Sequence, residues 1–311
     1  MATRIPSTST EPVVQIDDFT MTFAKRTVID SLSFDIKRGE TFGFLGSNGS
    51  GKTTTIRALL GIYEATAGTL LIDGKPFSPG NGTRLGYLPE ERGIYKKESA
   101  IDVMVYFGRL KGLTQKAARQ WSLDFLERVE LAEHAETRVD RLSSGQQQKV
   151  QLGVTVLNNP ELLILDEPTK GFDPVNRRLL MDIIDDQKRT GTTVMMVTHQ
   201  MDEVERLCDR IILLKDGCAE AYGTVTAVQD RYGGTTIRVR YSGTIPVSPD
   251  YVITRCERNY AELTPTNGTE SAEILKTLVD AGVAVHEFTT NRRSLDEIFL
   301  MIYGEPSKVG R

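Results

Sequence analysis

Short apolar runs alternate along the chain with longer segments whose apolar residues recur every three or four positions. The first pattern reads as buried strand and the second as amphipathic helix. Val13–Phe23, Ser33–Ile36, Thr41–Leu45 and Thr69–Ile72 read as strands, the last closed by the turn pair Asp73-Gly74. Thr54–Leu60 reads as a helix. Over residues 92–140 the pattern is mainly helical. Ser99 with Asp102 forms a capping signal at the start of Ile101–Leu110, and Lys116–Val129 carries Trp121, Phe125, Leu126 and Val129 at helical spacing. Strands return at Leu162–Leu165, Thr193–Val197 and Arg210–Leu214, alternating with helices. That alternation predicts an α/β fold with a parallel sheet covered by helices.

Beyond residue 222 the pattern changes. Thr236–Tyr241 alternates apolar Ile237, Val239 and Tyr241 with polar neighbours, a half-buried strand. Ser271–Asp280 reads as an amphipathic helix closed by Gly282, and Val283–Phe288 as a strand. Ser294 and Glu297 cap a last helix through Tyr303. The expected organisation is a leader over residues 1–12, an α/β domain over 13–222 with a helical insert at about 92–140, and a small α+β domain over 223–311.

Composition narrows the classes. The 311 residues are 39% hydrophobic and 26% charged, enough for a substantial core. A net charge of −4 gives no electrostatic case for a nucleic-acid partner. The three cysteines, Cys208, Cys218 and Cys256, read as free thiols. Residues 1–12 are rich in Ser, Thr and Pro and lack an apolar core, so a disordered leader is expected and not a signal peptide. No run approaches the ~20 apolar residues that span a bilayer. A role at a membrane therefore calls for a separate chain that supplies the span.

Two motifs carry chemistry. Gly46-Ser47-Asn48-Gly49-Ser50-Gly51-Lys52-Thr53, followed by Thr54, is a complete phosphate-binding loop between a strand and a helix. Its glycines let successive N–H groups face a polyphosphate, Lys52 reaches the β/γ-phosphates, and the Thr53 hydroxyl ligates Mg²⁺. The strand Leu162–Leu165 ends in Asp166 and Glu167. Asp166 is placed to hold Mg²⁺ and Glu167 to orient or deprotonate an attacking water. A third segment, Leu142-Ser143-Ser144-Gly145-Gln146, opens a helix over Gln147–Leu157 with a Ser143/Gln146 capping box, an arrangement suited to an anion.

With these motifs in this order, the chain resembles the ATP-binding subunits of ABC transporters over roughly residues 13–222. Gly46–Thr53 resembles Walker A, Leu142–Gln146 the signature motif and Leu162–Glu167 Walker B. Gly171-Phe172-Asp173-Pro174 is similar to the D-loop and His199 to the switch histidine, and Phe23 stands where the family stacks an aromatic on adenine. Two positions depart: Glu90 replaces the usual Gln of the loop that couples Mg²⁺ to the membrane subunit, and Ser144 replaces a commoner Gly. The run Leu88–Tyr95 and the ending Ser294–Phe299 resemble ABC-2-type exporters, including sodium-extrusion and drug-efflux relatives with a C-terminal accessory domain.

The resemblance implies a P-loop NTPase (RecA-like) core with an antiparallel β subdomain and a helical insert, followed by the small α+β domain. It implies ATP and Mg²⁺ as ligands, with Glu90 as a further metal-side residue. Glu167 and His199 are the implied catalytic residues. Ser143–Gln146 and Asp173 are implied to complete the nucleotide site of a second copy in a homodimer or heterodimer. The implied partner is an integral membrane permease encoded separately, which would hold the chain at the cytoplasmic face of the membrane. The alternative is a soluble or regulatory ABC ATPase not coupled to transport.

Overall fold

The computed structural model describes residues 12–78, 84–91, 93–233, 235–266 and 268–304. The expected leader, apart from Pro12, and Arg92 beside Glu90 lie outside the described residues. The chain divides into two compact units at Tyr222/Gly223.

In the first unit, β1 (Pro12–Phe23) pairs antiparallel with β2 (Arg26–Lys37) and with β4 (Ala67–Ile72), giving a three-stranded sheet in the order β2-β1-β4. The larger sheet has six strands: β5 (Leu85–Leu88), β6 (Leu162–Asp166), β7 (Thr193–Val197), β3 (Thr41–Gly46), β8 (Arg210–Lys215) and β9 (Cys218–Thr224), in that spatial order. The first five run parallel. Every residue of β3, β6 and β7 is buried, as the near-continuous apolar runs of a covered parallel sheet require. The two sheets share one core. Phe34 of β2 stacks on Phe42 of β3 with centroids 5.3 Å apart, and Phe19, Phe44 and Leu162 belong to the same cluster.

Helix α1 (Lys52–Leu59) follows β3. The insert contains α2 (Ala100–Leu110) and α3 (Gln115–Arg128), packed on each other and on α4 (Ser144–Val156). Ser99 caps α2, accepting the Asp102 N–H at 3.2 Å. At the start of α4 both capping-box bonds form: Ser143 Oγ accepts the Gln146 N–H at 3.3 Å, and Gln146 Oε1 accepts the Ser143 N–H at 2.8 Å. Trp121 and Phe125 stack with centroids 5.2 Å apart on α3.

Two lysines tie the three helices together. Lys111, the C-cap of α2, donates Nζ to the carbonyls of Val154, Thr155 and Leu157 at 2.7, 2.9 and 3.4 Å. Lys149 of α4 donates to the carbonyl of Val129, the C-cap of α3, at 2.9 Å. These are the otherwise unpaired carbonyls of helix ends, where a cation is favoured. Burial pushes Lys111 down to about 8, and its three carbonyl partners favour the charged form.

The remaining helices of the first unit are α5 (Pro174–Arg189), between β6 and β7, and α6 (Met201–Leu207), between β7 and β8. The second unit opens with α7 (Val225–Gly233). Its antiparallel sheet has the order β11-β12-β10-β13, from β10 (Thr235–Ser242), β11 (Tyr251–Glu257), β12 (Tyr260–Pro265) and β13 (Ala284–Arg292). Helix α8 (Ser271–Asp280) packs Ile274 and Leu278 into a core with Ile237, Val239 and Tyr241. Helix α9 (Leu295–Gly304) follows, with Ser294 and Glu297 exchanging both capping-box bonds at 3.0 and 3.3 Å. Among the described residues no helix is long and apolar enough to cross a membrane.

Candidate functional site

Four neighbouring parallel strands, β5, β6, β7 and β3, end on one edge of the six-stranded sheet. Ligands of open α/β sheets bind at such carboxyl ends. From them emerge Glu90, the pair Asp166 and Glu167, His199, and the glycine-rich loop. A cleft of ≈ 640 Å³ is lined by Asn48, Gly49, Gly51, Lys52, Thr53 and Thr54 from the loop and α1, and by Glu90, Asp166, Glu167, Lys170 and His199 opposite. The sheet order thus brings together residues far apart in the sequence.

Gly51 is the N-cap of α1 with φ +107°. A Cβ there would stand 2.2 Å from Ile29 Cδ1, so backbone angle and space both exclude a side chain. Ile29 belongs to β2, so the small sheet buttresses the loop. Lys52 is buried, and its Nζ donates to the carbonyls of Gly46 and Ser47 at 2.7 and 3.0 Å. Desolvation lowers the Lys52 pKa, and Glu167, Asp166 and Glu90 oppose that.

Asp166 is 3% exposed, and its Oδ2 has no hydrogen-bond partner. Burial, then Glu90 and Glu167, raise its pKa to about 6. A buried carboxylate with an open oxygen, in a cleft that Thr53 also lines, suits a hard divalent cation that completes its shell with water and phosphate oxygens. Among the described residues no cluster of three or more His, Cys, Asp or Glu forms an all-protein metal cage. Glu167 adopts φ +51°, a strained backbone for a non-glycine residue, and donates its N–H to the Val197 carbonyl at 2.8 Å. Its two carboxylate oxygens lie 2.9 and 2.8 Å from His199 Nδ1.

Phe23 is 44% exposed and meets Tyr63 edge-on with centroids 5.4 Å apart. It pairs across the β1–β2 turn with Arg26, which lines the cleft. Asp173 caps α5, its Oδ1 accepting the Val175 and Asn176 N–H groups at 2.9 Å each. Those bonds, that from Asn176 first, lower its pKa. Ser143 and Ser144 are exposed and Gly145 and Gln146 half-buried at the start of α4, and none of the four lines the cleft of their own chain.

The structure adds residues that the motifs did not reveal. Lys170 pairs with Glu90 at 2.5 Å, so the carboxylate that departs from the usual Gln carries its own counter-charge. The two residues stand in segments 80 positions apart that meet only in space, so no sequence spacing pointed to the pair. Glu90→Gln is expected to raise Mg²⁺-free ATP affinity by about 2- to 5-fold, and Lys170→Met to lower it similarly, because an exposed ion pair is worth a fraction of 1 kcal/mol to about 1 kcal/mol. Titration of a fluorescent ATP analogue in EDTA measures both. Equal affinities in the three proteins would show that Glu90 does not act on the nucleotide.

Comparison with known proteins gives a consistent picture. Residues 29–170 match the ABC transporter family, and residues 223–303 match the ATP-binding protein DrrA1-3-like, C-terminal domain. An uncharacterized ABC transporter ATP-binding protein of Methanocaldococcus jannaschii is 43% identical over 216 residues, covering 69% of this chain and 79% of that protein. The linearmycin resistance ATP-binding protein LnrL of Bacillus subtilis is 34% identical over 228 residues, covering 72% and 73%. A solved ATP-binding subunit of an ABC transporter superposes with a TM-score of 0.66 at 26% identity, over 71% of this chain and 93% of the other.

Proposed function

This chain belongs to the ATP-binding proteins of ABC transporters, and we propose that it hydrolyses ATP in the cleft described above to drive a separate membrane subunit in export. The observation that supports this most directly is the meeting of the glycine-rich loop, Asp166, Glu167 and His199 at one sheet edge. The loop amides and Lys52 bind the β/γ-phosphates, and Phe23 offers a face for adenine. Thr53 and Asp166 would hold Mg²⁺, with Glu90 beside them. When bound, Mg²⁺ neutralises charge on the phosphate oxygens. Glu167 orients the attacking water and accepts its proton.

Ser143–Gln146, at the start of α4, form a helix N-terminus suited to an anion but are not among the residues that line the cleft of their own chain. A second copy, identical or related, therefore supplies Ser143–Gln146 and Asp173, and a symmetric pair closes two sites. ATP binds the closed pair more tightly than the open one, and hydrolysis removes that difference. The direction of transport rests on relatives whose names state export, the Nod factor export ATP-binding protein I of Paraburkholderia xenovorans and that of Ralstonia nicotianae, 35% and 34% identical to this chain. The membrane subunit would hold the chain at the cytoplasmic face.

The test is expression together with any integral membrane protein that the adjacent coding sequence specifies. The expected result is co-purification of the two and Mg²⁺-dependent ATP hydrolysis that the membrane subunit alters. ATP hydrolysis with no integral membrane partner would instead favour a soluble or regulatory ATPase.

A further inference from the structure

The His199 ring is held from two sides. On one side Nδ1 faces Glu167 at 2.9 and 2.8 Å. On the other, Nε2 lies 3.1 Å from the amide nitrogen of Gln200. Arg177 decides which way that amide faces, because its Nη2 donates to Gln200 Oε1 at 3.2 Å. A guanidinium only donates, so the amide must present its oxygen to Arg177 and its nitrogen to the histidine. An amide nitrogen also only donates, so His199 Nε2 accepts. The ring proton then sits on Nδ1 and is donated to Glu167. A ring protonated on both nitrogens would set two donors face to face at Nε2.

Arg177 is itself anchored. Its Nε lies 3.3 Å from Oε1 of Glu203, whose side chain is 1% exposed, and its Nη1 lies 3.5 Å from Asp202 Oδ2. A carboxylate this buried keeps its cation, since parting them strands a charge out of water. Arg177 stands in the first turns of α5, and Gln200 is the N-cap of α6 without using its side chain as a cap. The Gln200 side chain is thus free of a helix-capping duty.

We propose that Gln200, oriented by Arg177, is a positioning residue that covers Nε2 of His199 until nucleotide arrives, on a ring whose proton the Glu167 carboxylate keeps on Nδ1. The proposal rests on the reading of His199 as a residue of the ATP site. A phosphate oxygen only accepts, so Nε2 can bond to it only after gaining a proton. Gln200 must turn away and Nε2 must take a proton from water, while Nδ1–H stays donated to Glu167, so the ring gains one positive charge between the Glu167 carboxylate and the phosphate. The side chain is 49% exposed, which leaves water a path to it.

Nitrogen-15 labelling of histidine tests this directly, because the chain has only three histidines. Loss of one signal set in His199→Ala identifies the ring. In the nucleotide-free protein the expected pattern is Nδ1–H. In Gln200→Leu and Arg177→Met the ring should stay Nδ1–H, because Glu167 still accepts that proton, but the bare Nε2 resonance should shift as its hydrogen bond from the amide is lost; Arg177→Lys, which still donates to Gln200, should leave it in place. Unmoved signals from His134 and His286 report an intact fold. Gln200→Leu should also lower KM for ATP by about 2- to 10-fold, the worth of one net hydrogen bond released from competition.

An Nε2–H pattern in the unaltered protein overturns the tautomer assignment, and an Nε2 resonance unmoved in both Gln200→Leu and Arg177→Met overturns the contact with Gln200. An unchanged KM overturns the covering role of Gln200. The underlying site reading is probed apart from these: wild-type turnover in His199→Ala would remove His199 from the ATP site, whatever its tautomer.

Discussion

Glu167→Gln is expected to keep ATP binding and to lose turnover by about 10²- to 10⁴-fold, the range for removing a general base. The amide preserves the shape of the side chain at the mouth of β6. It removes the negative charge that faces His199 Nδ1 at 2.8 Å and the site that would take a proton from water. Because ATP favours the closed pair, a protein that cannot destroy it should accumulate as an ATP-bound dimer. Mass measurement in solution with and without Mg-ATP reads this outcome. A variant that stays monomeric at all ATP concentrations, or turns over at the wild-type rate, would remove Glu167 from the role of base.

Lys52→Ala is expected to reduce kcat/KM by about 10²- to 10³-fold, comparable to losing one preorganised electrostatic group at a reacting centre. Lys52 is the buried cation of the cleft, placed where the loop carbonyls of Gly46 and Ser47 surround it. Lys170, the other lysine on the lining, is held by Glu90 and is no substitute. Lys52→Arg is a useful companion, because the wider guanidinium does not fit a pocket shaped for a compact ammonium. Its turnover should fall close to that of Lys52→Ala. Undiminished hydrolysis in the purified Lys52→Ala protein would sink the assignment of the loop.

Local chemistry made much of the fold legible. Ser143 with Gln146 and Ser294 with Glu297 mark helix starts by a spacing that one turn of helix fixes, and both pairs form reciprocal bonds. Strands buried on both faces, such as Leu162–Asp166, announce themselves as apolar runs. Strands with one wet face hid. Only the stretch Ser33–Ile36 was legible within Arg26–Lys37, whose first half carries exposed Arg26, Thr27, Asp30 and Ser31 and pairs with β1 through register shifts. In Tyr251–Glu257 the last four residues are all exposed, so alternation is lost.

The candidate site divides along the same line. Gly46–Thr53 and Asp166-Glu167 are contiguous, so sequence spacing carries their geometry. The contact of Arg177 with Gln200 joins the starts of two helices, and that of Glu90 with Lys170 joins two loops, all brought close only by the order of the parallel strands. No spacing rule reaches them.

The paired lysine clamps on the insert have a mechanical consequence. Lys111 grips the last turn of α4 from α2, and Lys149 grips the end of α3 from α4. Each clamp joins charged nitrogen to helix-end carbonyls, so sliding one helix past another would strand both partners. The three helices therefore transmit force as one lever. At 1.5 Å per residue, α4 spans roughly 20 Å. A displacement of α2 or α3 is therefore expected to be felt at the start of α4, Ser143–Gln146, and one imposed there to be felt on α2 and α3.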